Sequence, residues 1–316
     1  MRNLNRPFCW ILLINLIFIS NIQSAITIDP SKAPKRKNEL GIIATEKGGR
    51  IILTGCEMFN ALFYCHLDLG SSFSIFPEEI VGNIKKKISQ KEHEKLFKVL
   101  PKKVKIKSVF QKTIELDSIE IPYVKVDDLK FKKAQFLVKP NKVLSLITLG
   151  NHYFLDKTLA LDFSKGQLKI HNQRIPKSSK LHIFPARNGQ IAIPITVGDK
   201  KVKLAFFDTG FSKSMIDEEF YRKNKALFAT GRTWVSPTKT TDATGATDYE
   251  SNVFVTLKKI KIGNVSFNNF QFLAGRVKNF TKKTFKVDVP IVIGADLISK
   301  QNWVLDFKNL RWMNYK

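Results

Sequence analysis

Two short segments of this chain each carry an acid at the end of an apolar run. Residues 204–207 lead into Asp208-Thr209-Gly210, and residues 62–67 lead into Asp68-Leu69-Gly70. A carboxylate at the end of a buried strand must be paired or protonated, because an isolated buried charge is strongly disfavoured. Two such acids brought together would share one proton, which is the arrangement that general acid–base chemistry needs. One such segment alone could equally be an ordinary strand-end turn, but its second occurrence predicts a two-acid site.

The two acids belong to a repeat that covers most of the chain. Asp68 and Asp208 are 140 residues apart, and the Glu-Glu pairs that begin at Glu78 and Glu218 have the same offset. Two later landmarks are offset by 144 residues: the glycines that end the apolar runs before positions 151 and 295, and the Asp-Phe pairs at 162–163 and 306–307. Landmarks that keep their order and spacing indicate an internal duplication. Alternating apolar residues and frequent turns place both copies in the all-β class.

The amino terminus has the composition of a secretory signal. Arg2 and Arg6 precede the short apolar stretch 8–19, and the small residues Ser24 and Ala25 offer a cleavage site. The sequence therefore predicts export, to the periplasm or out of the cell. The alternative is an amino-terminal membrane anchor that is not cleaved. The predicted organisation is a signal peptide at 1–24, a flexible leader at 25–45, an N-terminal lobe at 46–172, a linker at 173–186 and a C-terminal lobe at 187–316.

Removal of the signal would take Cys9 with it and leave Cys56 and Cys65. In an oxidising compartment a remaining pair of this kind is expected to be a disulfide. The residues between them resemble the loop end of a hairpin, where cross-strand cysteines can meet disulfide geometry. The alternative is two buried free thiols.

The chain is strongly basic, with 53 Lys and Arg against 27 Asp and Glu and a net charge of +26. It lacks nucleic-acid-binding motifs and the alternation of aromatic and basic residues seen in single-strand binders, so nucleic acid is not an expected partner. Attraction to an anionic envelope surface is one interpretation of the charge, and an ordinary solvated basic face is the other. The histidines have no metal-ligand spacing, so neither a metal nor a cofactor is expected.

The segments around Asp208 resemble the aspartic protease superfamily. Residues 193–216 and 291–315 follow the order of a retropepsin-like unit, and Gly294-Ala295-Asp296-Leu297-Ile298 is similar to the Gly-x-Asp-x-Leu helix start of that family. The N-terminal copy is more divergent, and the resemblance covers residues 49–315. It implies an all-β fold in which two retropepsin-like β-barrel lobes with short helices enclose an active-site cleft, as in the bilobal pepsins.

The resemblance also implies an activity. The chain would be an exported aspartic endopeptidase, a hydrolase in which a water activated by Asp68 and Asp208 attacks a peptide bond. A peptide or protein would be the substrate, no cofactor would be needed, and the chain would act as a monomer. The residues expected to support the two acids are Gly70, Ser71, Thr209 and Gly210.

This sequence departs from the family beside both acids. In the family the threonine next to each Asp bonds across to the other loop, which Thr209 can do and Leu69 cannot. A hydroxyl after the glycine can support the acid, which fits Ser71 but not Phe211. These departures motivate an alternative function, a catalytically impaired pseudoprotease that binds extended peptides in the cleft.

Two further expectations concern the surroundings of the acids. The flaps that would cover the substrate are predicted near Phe110 in the N-terminal lobe and near Thr241, Thr244 and Gly245 in the C-terminal lobe. His66, two residues before the first acid, is predicted to be a strand residue whose ring is satisfied within the fold.

Overall fold

The computed structural model describes residues 34–45, 49–107, 113–139, 146–172, 181–182, 184–185, 189–231, 233–241, 247–278 and 289–315. The predicted signal peptide, most of the predicted linker, and the flap residues Phe110, Thr244 and Gly245 lie outside these ranges. Within the described residues, no helix is long and apolar enough to cross a membrane.

The N-terminal lobe contains an eight-stranded sheet, a separate two-stranded sheet and two short helices. The helices are α1 (Glu78–Lys85) and α2 (Gln90–Leu96). The strands are β1 (Leu40–Ala44), β2 (Arg50–Met58), β3 (Ala61–Asp68), β4 (Ile75–Pro77), β5 (Lys98–Val99), β6 (Val104–Lys107), β7 (Thr113–Leu116), β8 (Ser118–Val126), β9 (Leu129–Lys139) and β10 (Ile147–Gly150).

The C-terminal lobe has the same layout. Its helices are α3 (Glu218–Lys223) and α4 (Ala295–Ile298). Its strands are β14 (Phe184–Pro185), β15 (Ile191–Val197), β16 (Lys200–Phe207), β17 (Met215–Asp217), β18 (Thr233–Thr241), β19 (Thr247–Ile262), β20 (Val265–Gly275) and β21 (Ile291–Ile293).

Each lobe closes into a six-stranded barrel. In the first lobe the strand order β2-β3-β10-β4-β9-β8 is closed by pairing of β8 with β2. In the second lobe the order β15-β16-β21-β17-β20-β19 is closed by pairing of β19 with β15. The corresponding strands follow the same circular order, so the predicted all-β fold of two barrel lobes is confirmed.

A third sheet joins the closing hairpins of the two lobes. Its strands are β11 (Thr158–Asp162), β12 (Gln167–His171), β13 (Leu181–His182), β22 (Asn302–Asp306) and β23 (Arg311–Tyr315), in the order β12-β11-β22-β23-β13. Strand β11 of the first lobe pairs antiparallel with β22 of the second, with Leu159 opposite Leu305. Trp303 and Trp312 are fully buried in this sheet, with ring centroids 5.6 Å apart. The lobes therefore share a continuous set of hydrogen-bonded strands on one side.

The prediction of a flexible leader over residues 25–45 is wrong for the last residues of that segment. Leu40–Ala44 forms β1, which pairs antiparallel with β2 from Leu40 opposite Thr54 to Ala44 opposite Arg50. Leu40 and Ile43 are buried. The lysines that precede this segment suggested a solvated leader. Burial of the apolar side chains and pairing with β2 stabilise the segment enough to form an ordered strand.

The predicted disulfide between Cys56 and Cys65 is confirmed, with 6.0 Å between the two Cα atoms. The cysteines lie on adjacent strands of a hairpin but are not directly opposite, because Cys56 faces Phe63 and Cys65 faces Thr54. Both are completely buried in the N-terminal core. The bond therefore joins β2 to β3, the strand that ends in Asp68.

Removal of this disulfide is expected to destabilise the N-terminal lobe. It closes a short loop, with a sequence separation of 9, so the double variant Cys56→Ala/Cys65→Ala should lose about 2–3 kcal/mol of unfolding free energy. Urea unfolding of the variant against the oxidised wild type measures the difference. Equal midpoints would contradict a stabilising role.

Candidate active site

The two acids stand at the ends of equivalent strands. Strand β3 ends at Asp68 and runs parallel to β10, whose Gly150 lies opposite Asp68. Strand β16 runs parallel to β21, and Asp208 follows directly, with its N–H donating to the Ile293 carbonyl at 3.0 Å. In each lobe the acid therefore begins a loop that is fixed by the neighbouring parallel strand.

Matching serines tie each acid loop to the glycine that follows the parallel strand. The Ser74 hydroxyl accepts from the Gly150 N–H at 2.9 Å, and the Ser214 hydroxyl accepts from the Gly294 N–H at 3.0 Å. In the C-terminal lobe, Asp296 also accepts from the Ser214 hydroxyl at 2.6 Å. Because these hydrogen bonds are buried, they hold the two acid loops rigidly in place.

The carboxyl groups of Asp68 and Asp208 lie beside each other at the junction of the lobes, close enough for each to change the pKa of the other. Each also lies against the glycine of the opposite loop. A Cβ on Gly70 would come within 3.0 Å of the Asp208 carboxyl, and a Cβ on Gly210 would come equally close to the Asp68 carboxyl. Each acid accepts from its own loop: Gly70 N–H to Asp68 Oδ1 at 3.1 Å, and Gly210 N–H to Asp208 Oδ1 at 2.7 Å.

The two acids differ in their electrostatic surroundings. Burial raises the pKa of Asp208 well above its ordinary value, and the neighbouring Asp68 carboxylate raises it further. Burial also raises the pKa of Asp68, but nearby His66 and the adjacent Asp208 side chain act in the opposite direction. The pKa of both acids is therefore raised, and the two carboxyl groups titrate as a pair that shares a proton.

The predicted asymmetry beside the acids is visible in the loop contacts. The Thr209 hydroxyl accepts a hydrogen bond from the Leu69 N–H at 2.8 Å, and both residues are fully buried. Leu69 has no hydroxyl to return this bond, and its side chain packs in the main core. The Ser71 hydroxyl donates to the Phe73 carbonyl at 2.8 Å. The Ser71 hydroxyl is therefore engaged by Phe73, while the Ser71 N–H donates to the Asp68 backbone carbonyl at 3.2 Å.

Phe211 does not separate the acids. Its ring packs against an apolar cluster that includes Phe206, Met215 and Leu273, below the acid loop, while its carbonyl accepts from the Ala295 N–H at 2.7 Å. The bulky residue after the glycine thus packs against this small apolar cluster and leaves the two carboxyl groups beside each other.

Two residues near the acids were not predicted from the sequence. The buried Asn151 side chain donates to the Leu69 carbonyl at 3.1 Å, and Gln190 donates to the Gly70 carbonyl at 2.6 Å. Asn151 could have been suspected because it directly follows the glycine of an apolar run. Gln190 has no such signal, since only the fold brings the start of the C-terminal lobe to this loop.

The predicted C-terminal flap is represented among the described residues by Thr241. Thr241 ends β18 and pairs with Thr247 on β19, as a hairpin flap requires, but the other predicted flap residues lie outside the described ranges. Among the described residues, no group of three or more His, Cys, Asp or Glu side chains could hold a metal ion.

One comparison with known proteins identifies a family for part of this chain. Residues 193–297 match a family model described as aspartyl protease. A search of curated proteins finds no match. A solved structure titled "Crystal structure of edgp" aligns with a TM-score of 0.48 and 10% identity, over 88% of this chain and 94% of that one. The family match, which is to an aspartic-type peptidase, falls on the lobe that carries Asp208, and the barrel of the other lobe repeats its layout. Residues 193–297 therefore form an aspartyl protease-type domain, and together with the matching barrel of the first lobe they fit a bilobal, aspartic protease-like chain.

Proposed function

We propose that the protein is an exported aspartic endopeptidase in which Asp68 and Asp208 activate a water molecule for attack on a peptide bond. The observation that carries the proposal is the contact between the two buried carboxyl groups, each seated on the glycine of the opposite loop. A structural role alone would not favour two buried acids in contact, because their repulsion weakens the fold when both are charged.

The proposed mechanism starts from one proton shared by the pair, which we assign to Asp208 because its pKa is raised well above the ordinary value. Asp68, as the charged member, accepts a proton from the attacking water, and Asp208, as the protonated member, donates to the oxygen of the scissile carbonyl. A tetrahedral intermediate forms. Its breakdown returns one proton to the leaving nitrogen and restores the shared proton of the pair. The backbone N–H groups of Gly70 and Gly210 hold the two carboxyl groups in place throughout.

Export and surface binding are further parts of the proposal. The signal-like amino terminus and the disulfide between Cys56 and Cys65 support an oxidising compartment, outside the cell or in the periplasm. The net charge of +26 supports contact with an anionic envelope surface. The expected substrate is a peptide or protein that enters the cleft in an extended conformation, and the expected working form is a monomer.

The experiment that tests this function is turnover of an unbiased peptide library by the purified full chain. We expect cleavage that is blocked by a peptide containing statine, because its hydroxyl mimics the tetrahedral intermediate. Metal chelators and serine-directed reagents should leave the rate unchanged. Cleavage that is insensitive to statine, or sensitive to chelators, would contradict the proposal.

A binding function without catalysis is the second candidate, and the observation that favours it is Leu69. Without a hydroxyl at this position, one of the two cross-loop bonds expected of the family is missing. A protein of this kind would bind extended peptides in the cleft by strand addition and release them intact. Calorimetric binding of the library peptides with no turnover would favour this candidate over the enzyme.

A further inference from the structure

The first acid loop is held through three consecutive carbonyl groups. Asn151 binds two of them, because its side chain donates to the Leu69 carbonyl at 3.1 Å and its N–H donates to the Ser71 carbonyl at 2.8 Å. The Gly70 carbonyl between them accepts from the side chain of Gln190 at 2.6 Å. Asn151 belongs to the N-terminal lobe, whereas Gln190 directly precedes β15 of the C-terminal lobe. The third bond therefore joins the two lobes.

Gly70 contacts both acids. Its N–H donates to Asp68 Oδ1 at 3.1 Å. Its Cα lies against the other acid, since a Cβ there would come within 3.0 Å of the Asp208 carboxyl. The peptide groups on either side of Gly70 therefore influence how the two carboxyl groups are placed, and the bond from Gln190 fixes the second of these peptide groups.

The duplication does not by itself explain this bond. The position equivalent to Gln190 in the first lobe, 140 residues earlier, is Arg50. Arg50 also crosses to the other lobe, but its side chain donates to Ser299 Oγ at 2.9 Å. Its backbone N–H reaches the second acid loop, at the Ser212 carbonyl, at 2.8 Å. The reach of a side chain to the glycine of the opposite loop is therefore a property of the residue at position 190.

The bonds between the two acid loops are incomplete at Leu69. The Thr209 hydroxyl accepts from the Leu69 N–H, and two-fold symmetry would have the side chain at position 69 return this bond, which leucine cannot do. The buried Nε2 atom of His66 has no partner among the described residues. The prediction of a satisfied ring is therefore wrong, and that atom supplies no tie. Gln190 supplies a second side-chain bond between the lobes at this point.

We propose that Gln190 is a positioning residue, whose bond to the Gly70 carbonyl fixes the first acid loop against the second lobe and takes the place of the cross-loop bond that Leu69 cannot form. Gln190 acts through the Gly70 peptide group and not on the substrate. Its removal should therefore change the rate of the chemical step and not the binding of the peptide. The proposal rests on the proposed peptidase function only where turnover is the readout.

The test is Gln190→Met, which keeps the length of the side chain and removes the N–H donor. We expect kcat on a cleaved library peptide to fall by about 10- to 100-fold with KM within about twofold, because the acids are misaligned while the cleft is unchanged. The control is Gln90→Met on α2, which removes a glutamine bond to the exposed Glu94 of the same helix. This control should leave kcat unchanged.

The separate effects on kcat and KM distinguish positioning from contact with the peptide. A rise in KM with unchanged kcat would mean that Gln190 binds the substrate. An increase in kcat/KM would mean that its side chain occupies a carbonyl that the peptide needs. Either result would overturn the proposal, as would equal constants for Gln190→Met and the wild type. If Gln190→Met does not fold, Gln190→Ala provides the same comparison, because it also lacks the donor and adds no bulk.

Leu69→Thr tests whether Gln190 takes the place of the missing bond. In this background, the addition of Gln190→Met should reduce kcat by no more than about threefold, because the new hydroxyl can cross to the second loop and hold it without Gln190. The same loss of kcat in both backgrounds would contradict a substituting role.

A further readout, hydrogen exchange at the Leu69 and Gly70 amides, does not depend on catalysis. These amides donate to Thr209 Oγ and Asp68 Oδ1, so their protection reports how firmly the first acid loop is held. Gln190→Met should lower this protection by about three- to tenfold, while amides in the β22–β23 hairpin keep theirs. If the wild type cleaves no peptide but this protection falls, the proposed function fails and the positioning role stands. Unchanged protection would overturn the positioning role.

Discussion

Replacement of Asp208 by Asn is expected to reduce kcat by about 10²–10⁴-fold or more, because it removes the group that donates a proton to the scissile carbonyl. The fold should be retained, since Asn has the same shape and its amide can still donate to Asp68. Peptide turnover, with circular dichroism to verify folding, provides the measurement. Asp156→Asn is the matched control, because this exposed carboxylate pairs only with Lys157 in a surface turn among its described contacts. Retained turnover in Asp208→Asn would contradict the assigned role.

The same variant should be more stable than the wild type at neutral pH. The pKa of Asp208 in the folded protein lies well above the ordinary value of 3.8, so the native state binds this proton more tightly than the unfolded chain does. The resulting contribution to stability is fully present below the ordinary pKa and is lost as pH rises through the folded-state pKa. Asn does not titrate, so the thermal midpoint of the variant should exceed that of the wild type increasingly from acidic to neutral pH. A difference between the two thermal midpoints that becomes smaller from acidic to neutral pH would contradict a raised pKa of Asp208.

Gly70→Ala, in the acid loop of the N-terminal lobe, is expected to displace the Asp208 carboxyl of the C-terminal lobe. A Cβ at this position would come within 3.0 Å of the Asp208 carboxyl, which is buried and fixed by the Gly210 N–H. The carboxyl must move, and a displacement of about 1 Å at a reacting group can cost about 10²-fold in rate. We therefore expect at least that loss in kcat, together with loss of statine binding.

Gly82→Ala provides the matched control for this variant. Gly82 lies inside α1, and a Cβ there would meet nothing within 4 Å. The same substitution should leave turnover unchanged and stabilise the lobe by about 0.5–1 kcal/mol, because alanine is the better helix former. If Gly70→Ala and Gly82→Ala have equal activity, the contact between each loop and the opposite acid does not control catalysis.

The fold is largely predictable because its pattern occurs twice in the sequence. Asp68 and Asp208, with the glycines that end the later apolar runs, identify the two copies by their order and spacing. The barrels place these residues at equivalent strand ends. The error at β1 has a clear physical cause. Leu40 and Ile43 form only a short apolar run, and their strand depends on pairing with β2, which local sequence does not reveal.

The details of the candidate site are less accessible from sequence. The lack of a hydroxyl at Leu69 is visible there, but the bond from Gln190 to the Gly70 carbonyl is not, because it joins residues 120 positions apart across two lobes. Likewise, the bulk of Phe211 suggests crowding of the acids, whereas the direction of its ring depends on the apolar cluster below the loop. Residue types predict which groups could do chemistry, while tertiary packing decides which of them face one another.

The pH dependence of kcat/KM tests the central claim, that the two carboxyl groups share one catalytic proton, most directly. We expect a bell-shaped profile, with an acidic limb for ionisation of the first carboxyl and an alkaline limb for loss of the shared proton. The alkaline limb should lie well above the ordinary carboxyl pKa, as burial and the Asp68 charge require. A profile that rises through a single pKa and stays level at neutral pH would contradict a shared proton.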